Sequence, residues 1–131
     1  MAVHWTHLTI NVSDFERSIA FYSSFCGFSI LRDRRQEGGG TIWLGPAVES
    51  NELPTFLLVV MKGEVSSRLD HLGFQCDSRN EVEQIAARAT ALGILVYPPT
   101  DSGGSVGYWT MIRDPDGHLV EFTFGQPIRG L

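Results

Sequence analysis

The chain has 131 residues, 43% of them hydrophobic and 19% charged, with a formal net charge of −5. This length suffices for one domain with a real core, and the acidic balance argues against a nucleic-acid partner. No apolar run approaches the ~20 residues that span a bilayer and no leader pattern opens the chain, so a soluble, cytoplasmic protein without a membrane partner is expected.

In chain order, residues 3–12 alternate in polarity. They predict a strand with Trp5, His7, Thr9 and Asn11 on one face and Leu8, Ile10 and Val12 on the other. Ser13-Asp14-Phe15-Glu16 has the spacing of a capping box. Phe15, Ile19, Tyr22 and Phe25/Cys26 follow as a helical stripe, and Gly27 suits the left-handed residue that ends a helix. A strand resumes at Phe28–Leu31. Beyond it, Arg32, Arg34 and Arg35 form the chain's one basic cluster, expected to be a solvated strand end. Thr41–Leu44 and Phe56–Lys62 supply two further strands.

The pattern then returns. Residues 69–76 alternate, with His71, Gly73 and Gln75 opposite Leu72, Phe74 and Cys76. Ser78-Arg79-Asn80-Glu81 repeats the capping box, Val82, Ile85, Ala86, Ala89 and Leu92 form the stripe, and Gly93 closes it. The histidines lie 64 residues apart, the capping serines 65 and the closing glycines 66. Strands at Ile94–Val96, Tyr108–Arg113 and His118–Phe124 complete the repeat, the last two joined by Asp-Pro-Asp-Gly. Residues 98–107 read as a glycine-rich loop. The expected fold is α+β: two tandem βαβββ modules, at 1–64 and 69–125 with a tail at 126–131, forming a curled, mostly antiparallel sheet around a shared cavity. Cys26 and Cys76 read as reduced thiols packed as small hydrophobes.

If the helices cover the Leu8 and Leu72 faces, His7 and His71 lie on the opposite faces at matching positions. On the last strand Val120, Phe122 and Phe124 form the apolar face, which leaves Glu121 with Leu119 and Thr123 on the other. A carboxylate there needs a compensating charge if buried. Two imidazoles and one carboxylate on facing surfaces make a facial triad with open coordination positions.

The segments HLTINVSDFERSIAFY, DHLGFQCD and RDPDGHLVEFTFG resemble the vicinal oxygen chelate superfamily, over roughly residues 4–125. That group includes glyoxalase I, fosfomycin-resistance enzymes, extradiol dioxygenases and bleomycin-resistance proteins. The resemblance implies that His7, His71 and Glu121 bind a divalent metal (Fe, Mn, Zn, Ni or Co). It also implies a small oxygen-bearing substrate chelated to that metal, and a homodimer. The fourth ligand of glyoxalase I sites has no counterpart in Phe56-Leu57-Leu58-Val59-Val60, which favours a three-ligand, dioxygenase-like site. The loop before Tyr108 offers hydroxyls but no Lys or Arg, against a fosfomycin-type phosphonate site. Glu121 and Tyr108 are the candidate catalytic residues. Trp5, Thr9, Asn11, Gln75, Tyr108 and Thr123 are candidates for substrate contact. The competing expectation is a drug-binding protein of the bleomycin-resistance type, against which the intact triad argues.

Overall fold

A computed structural model describes residues 6–65 and 69–127. His4 and Trp5, with the rest of the first strand's expected start, lie outside the described residues. The chain divides into two compact units between Ser66 and Ser67. The first unit holds β1 (His7–Val12), α1 (Phe15–Cys26), β2 (Phe28–Asp33), β3 (Thr41–Pro46) and β4 (Leu57–Lys62). The second holds β5 (His71–Gln75), α2 (Arg79–Ala91), β6 (Leu95–Asp101), β7 (Tyr108–Arg113) and β8 (Leu119–Phe124). The architecture is α+β, with the βαβββ order performed twice.

Each unit is a four-stranded mixed sheet with one helix. The strand orders are β1-β4-β3-β2 and β5-β8-β7-β6. In both, the first and last strands pair in parallel and the other neighbours are antiparallel. Apolar residues at alternate strand positions face the helix. In the first unit Ile10, Val12, Ile42, Leu44, Leu58 and Val60 are buried together with Phe21 and Tyr22 of α1. In the second, Ile112, Val120 and Phe122 are buried with Val82, Ile85, Ala86 and Ala89 of α2.

The helix starts differ from each other. Ser78 caps α2 as expected: its hydroxyl accepts from Glu81 N–H at 3.1 Å, and the Glu81 carboxylate reaches back to Asp77 N–H at 2.8 Å. In α1 the cap is Asp14 rather than Ser13, with Arg17 N–H donating to Asp14 Oδ1 at 3.0 Å. Asp is as good a cap as Ser, and one register step decides between them. Ser18, Phe21 and Tyr22 are the buried residues of α1. Gly27 ends α1 in the left-handed conformation at φ 66°, open only cheaply to glycine. Leu92 caps α2 and is 64% exposed, so it leaves the expected stripe.

The expected loop at 98–107 is shorter, because β6 continues through Pro98 and Pro99 to Asp101. As an edge strand interrupted by register shifts, β6 tolerates residues that cannot donate to a ladder. Cys76 is buried just past β5, and burial pushes its thiol up to about 12. At pH 8 only about 10⁻⁴ of it is thiolate. Native protein treated with iodoacetamide at pH 8 is therefore expected to stay unlabelled at Cys76 and to take up two groups only when unfolded. Intact mass measures this directly.

Candidate metal centre

The strand registers place the candidate residues. On β5 and β8, Gly73 pairs with Glu121 and His71 with Leu119. On β8 and β7, Glu121 pairs with Met111 and Thr123 with Trp109. Residues paired this way share a sheet face. His71, Gly73, Gln75, Glu121, Thr123, Met111 and Trp109 thus occupy the face turned away from α2.

His71 and Glu121 meet on that face, with Nε2 3.9 Å from Oε2. The separation is too long for a hydrogen bond. It lies within twice a metal–ligand bond of about 2.1 Å. Behind the ring, His71 Nδ1 is 2.6 Å from Asp70 Oδ1. A carboxylate only accepts, so Nδ1 carries a proton, which in the neutral ring leaves the lone pair on Nε2, the nitrogen nearer Glu121. This is the backing carboxylate that fixes the tautomer of ligating histidines. Asp70 was not among the residues singled out from sequence. The signal was available: both His7 and His71 follow a residue with a side-chain oxygen.

Gly73 makes the space. A Cβ built there would stand 3.4 Å from Glu121 Oε2. Gly73→Val would push branched carbons into the region between Glu121 and His71. It is expected to lower Mn(II) affinity about tenfold while far-UV circular dichroism stays unchanged, because Val suits a strand. Calorimetric titration reads the affinity.

The Glu121 side chain is only 13% exposed. Burial pushes its carboxyl above the ordinary carboxylate range, and the positive charge of His71, when its ring is protonated, pulls it part of the way back. Such a group is held at a cost when ionised, the condition a cation relieves. A raised carboxyl contributes its stability below the unfolded-state value and loses it as pH rises through the folded value. With chelator present, Glu121→Gln is therefore expected to raise Tm at pH 7–8. The gain is about 1–3 °C, kept small because water still screens the charge. It should vanish near pH 4, and a scanning-calorimetry pH series checks the sign.

On the first unit, His7, Thr9 and Asn11 share the face away from α1. His7 Nδ1 is 2.8 Å from Thr6 Oγ1, repeating in a hydroxyl the backing that Asp70 gives His71. Thr9 pairs with Val59 as Gly73 pairs with Glu121. Val59 is thus the repeat's counterpart of Glu121, and it carries no ligand atom. Among the described residues no three His, Cys, Asp or Glu side chains cluster. The second unit supplies the His71–Glu121 pair, and His7 is carried by the first.

The remaining candidates divide. Thr9 and Gln75 are exposed on their non-helix faces, and Asn11 is half-buried. Thr123 is on the expected face but buried, its hydroxyl donating to the Val106 carbonyl at 3.3 Å. Tyr108 is not brought to Glu121. It alternates to the helix face, donates to Glu83 Oε1 of α2 at 2.9 Å and lies under the Arg79 guanidinium, 3.9 Å from its ring centroid. Tyr108 thus faces α2 rather than Glu121, and its expected catalytic and substrate-contact roles draw no support from this geometry. His118 is buried in the hairpin, its N–H donating to Asp114 Oδ1.

A family model described as the Glyoxalase/Bleomycin resistance protein/Dioxygenase superfamily matches residues 4–122. The chain is 38% identical over 128 residues to an uncharacterised protein of Pseudomonas aeruginosa, covering 94% of this chain and 89% of that one. It is 26% identical over 126 residues to the metallothiol transferase FosB of Lysinibacillus sphaericus, covering 91% and 80%. Its fold is similar to a variant of the fosfomycin resistance protein FosX of Listeria monocytogenes complexed with Mn(II) and 1S,2S-dihydroxypropylphosphonic acid. The TM-score is 0.75 at 21% identity, covering 97% of this chain and 95% of that one.

Proposed function

Because the chain belongs to the Glyoxalase/Bleomycin resistance protein/Dioxygenase superfamily, we propose that it is a divalent-metal-dependent enzyme. Its substrate is a small organic molecule held through its oxygens at the metal. His7, His71 and Glu121 are the proposed ligands. The observation that carries this reading is the His71–Glu121 pair, two electron-pair donors facing each other 3.9 Å apart with Asp70 fixing the histidine tautomer.

The donor set suits Fe, Mn, Zn, Ni or Co. A bound cation supplies Lewis-acid polarisation of the substrate's oxygens and stabilises the charge that develops on them. The chain's own residues prepare that position. Asp70 holds the Nδ1 proton, Gly73 leaves room beside the carboxylate, and Glu121 gives up its proton to accept the cation, so affinity rises with pH. Valine at position 59 supports a three-ligand site with open positions, nearer the dioxygenase pattern than that of standard glyoxalase I. A cytoplasmic homodimer is the assembly and location proposed with it.

Water-proton relaxation with Mn(II)-loaded protein tests the open site. The reading predicts relaxation enhanced over free Mn(II), and its loss on adding oxalate. No enhancement at protein concentrations that bind Mn(II) would contradict it, and failure to bind Mn(II) at all would favour the metal-free drug-binding class.

A further inference from the structure

The basic cluster at the end of β2 is not a uniformly solvated strand end. Arg34 N–H donates to Thr41 O at 2.8 Å, and Arg32 pairs with Trp43 across the hairpin. The alternation sends Asp33 and Arg35 to the helix side, where Arg35 reaches Glu16 of α1 at 3.1 Å and lies over Phe15. Arg32, Arg34, Thr41 and Trp43 go to the other side. Trp43 pairs with Val59, and Val59 with Thr9, so this group shares its face with His7 and Thr9.

Both guanidiniums stand over the Trp43 ring, Arg32 at 5.6 Å and Arg34 at 5.8 Å from its centroid. The ring attracts each cation, but the two cations repel one another. Glu37 pairs with Arg32 at 2.8 Å. The charge of Arg34 also helps to hold the Glu37 carboxyl low, but among the described residues no carboxylate lies within ion-pair distance of Arg34 and no acceptor takes a hydrogen bond from its guanidinium. A Cβ on Gly39 would lie 3.2 Å from Arg34 Cζ, so the guanidinium stands close to the Gly39 backbone as well as over the indole. Thr41, whose carbonyl takes the Arg34 backbone N–H, has a buried Oγ1 without a hydrogen-bond partner among the described residues. A pre-positioned planar fork with free donors is the arrangement that recognises an oxyanion.

We infer that Arg34, with Arg32 and Trp43, forms an oxyanion-binding site on the first sheet, for a carboxylate, phosphate or phosphonate group. As a place for the substrate's acid group it rests on the metalloenzyme reading; as an anion site it does not. With strands about 4.8 Å apart, Trp43 lies roughly 10 Å across the sheet from β1. A substrate using both features carries its anion at one end and its metal-binding oxygens at the other.

Nitrogen-15 NMR of the Trp43 indole and the arginine Nε–H groups tests the site, titrating inorganic phosphate, methylphosphonate and acetate at constant ionic strength. The expected result is a saturable shift at Trp43 and Arg34, with Arg34→Gln weakening phosphate binding at least tenfold. Arg34→Lys, which keeps the charge but loses the fork, should fall between. The order of phosphate, methylphosphonate and acetate affinities tells a phospho group from a carboxylate. A linear, non-saturating drift in the parent would overturn the proposal, as would equal affinities in the parent and a folded Arg34→Gln. Repeating the titration with chelator separates the two readings: Arg34-dependent binding that persists there stands even if no metal is ever bound.

Discussion

Replacing His71 by Ala is expected to lower Mn(II) affinity by at least about 100-fold, while Asp70→Asn lowers it about tenfold. The order follows from the geometry. Neutral His71 presents its Nε2 lone pair, and Asp70 acts only through the opposite nitrogen, its Oδ1 2.6 Å from Nδ1. Asn at position 70 can still accept from Nδ1–H, but it supplies no negative charge to strengthen the ligand. Calorimetric titration of the two variants beside the parent reads both numbers. Equal losses would mean that Asp70 binds the cation itself, and no loss in His71→Ala would remove the histidine from the ligand set.

The second large effect concerns the platform beneath that pair. Phe122 is 2% exposed and stacks on Phe74, with centroids 5.6 Å apart and planes 22° from parallel. Its removal opens a cavity between β5, β8 and α2, directly behind the strand position that aims Glu121. Phe122→Ala is expected to cost about 3–5 kcal/mol and to lower Tm by about 10–20 °C. Leu92→Ala, at an exposed helix end, should stay within about 0.5 kcal/mol. Denaturant unfolding measures both. A small effect at Phe122 would mean that the second sheet does not depend on this core.

Much of this was legible in the sequence because alternation and repetition are local signals. Reading His7 and His71 on the faces away from the helices needed only the period of two and the capping boxes. Glu121 stood out because an ionisable group between Val120 and Phe122 demands an explanation. The face of Tyr108 was not legible in the sequence, for a reason of register. Its face depends on how the Asp114–His118 turn sets β7 against β8, and a slip of one residue reverses every side chain. Asp114 makes that turn tight, accepting from both Asp116 N–H and His118 N–H. This pairs Met111 with Glu121 and sends Tyr108 to α2. Thr123 was placed on the correct face, but its burial under Val106 is a contact over 17 residues that no local pattern carries. The cap of α1 lies one residue later than expected because Ser13 and Asp14 are both competent caps, and local pattern does not choose between them.

The basic cluster shows the same limit differently. Alternation alone separates Arg35 from Arg32 and Arg34. The partners that distinguish Arg34, the Trp43 ring and the Gly39 backbone, come from the hairpin's fold. Among the described residues Arg32 and Arg35 make carboxylate ion pairs, and Arg34 makes none.

The central claim is that His7, His71 and Glu121 hold one divalent metal. Metal content by plasma mass spectrometry on gently purified protein tests it most directly, with His7→Ala, His71→Ala and Glu121→Ala purified alongside. Close to one metal per chain is expected in the parent, lost in each variant, His7→Ala included. A parent that carries no metal and takes up none when Mn(II), Fe(II), Zn(II), Ni(II) and Co(II) are added would contradict it.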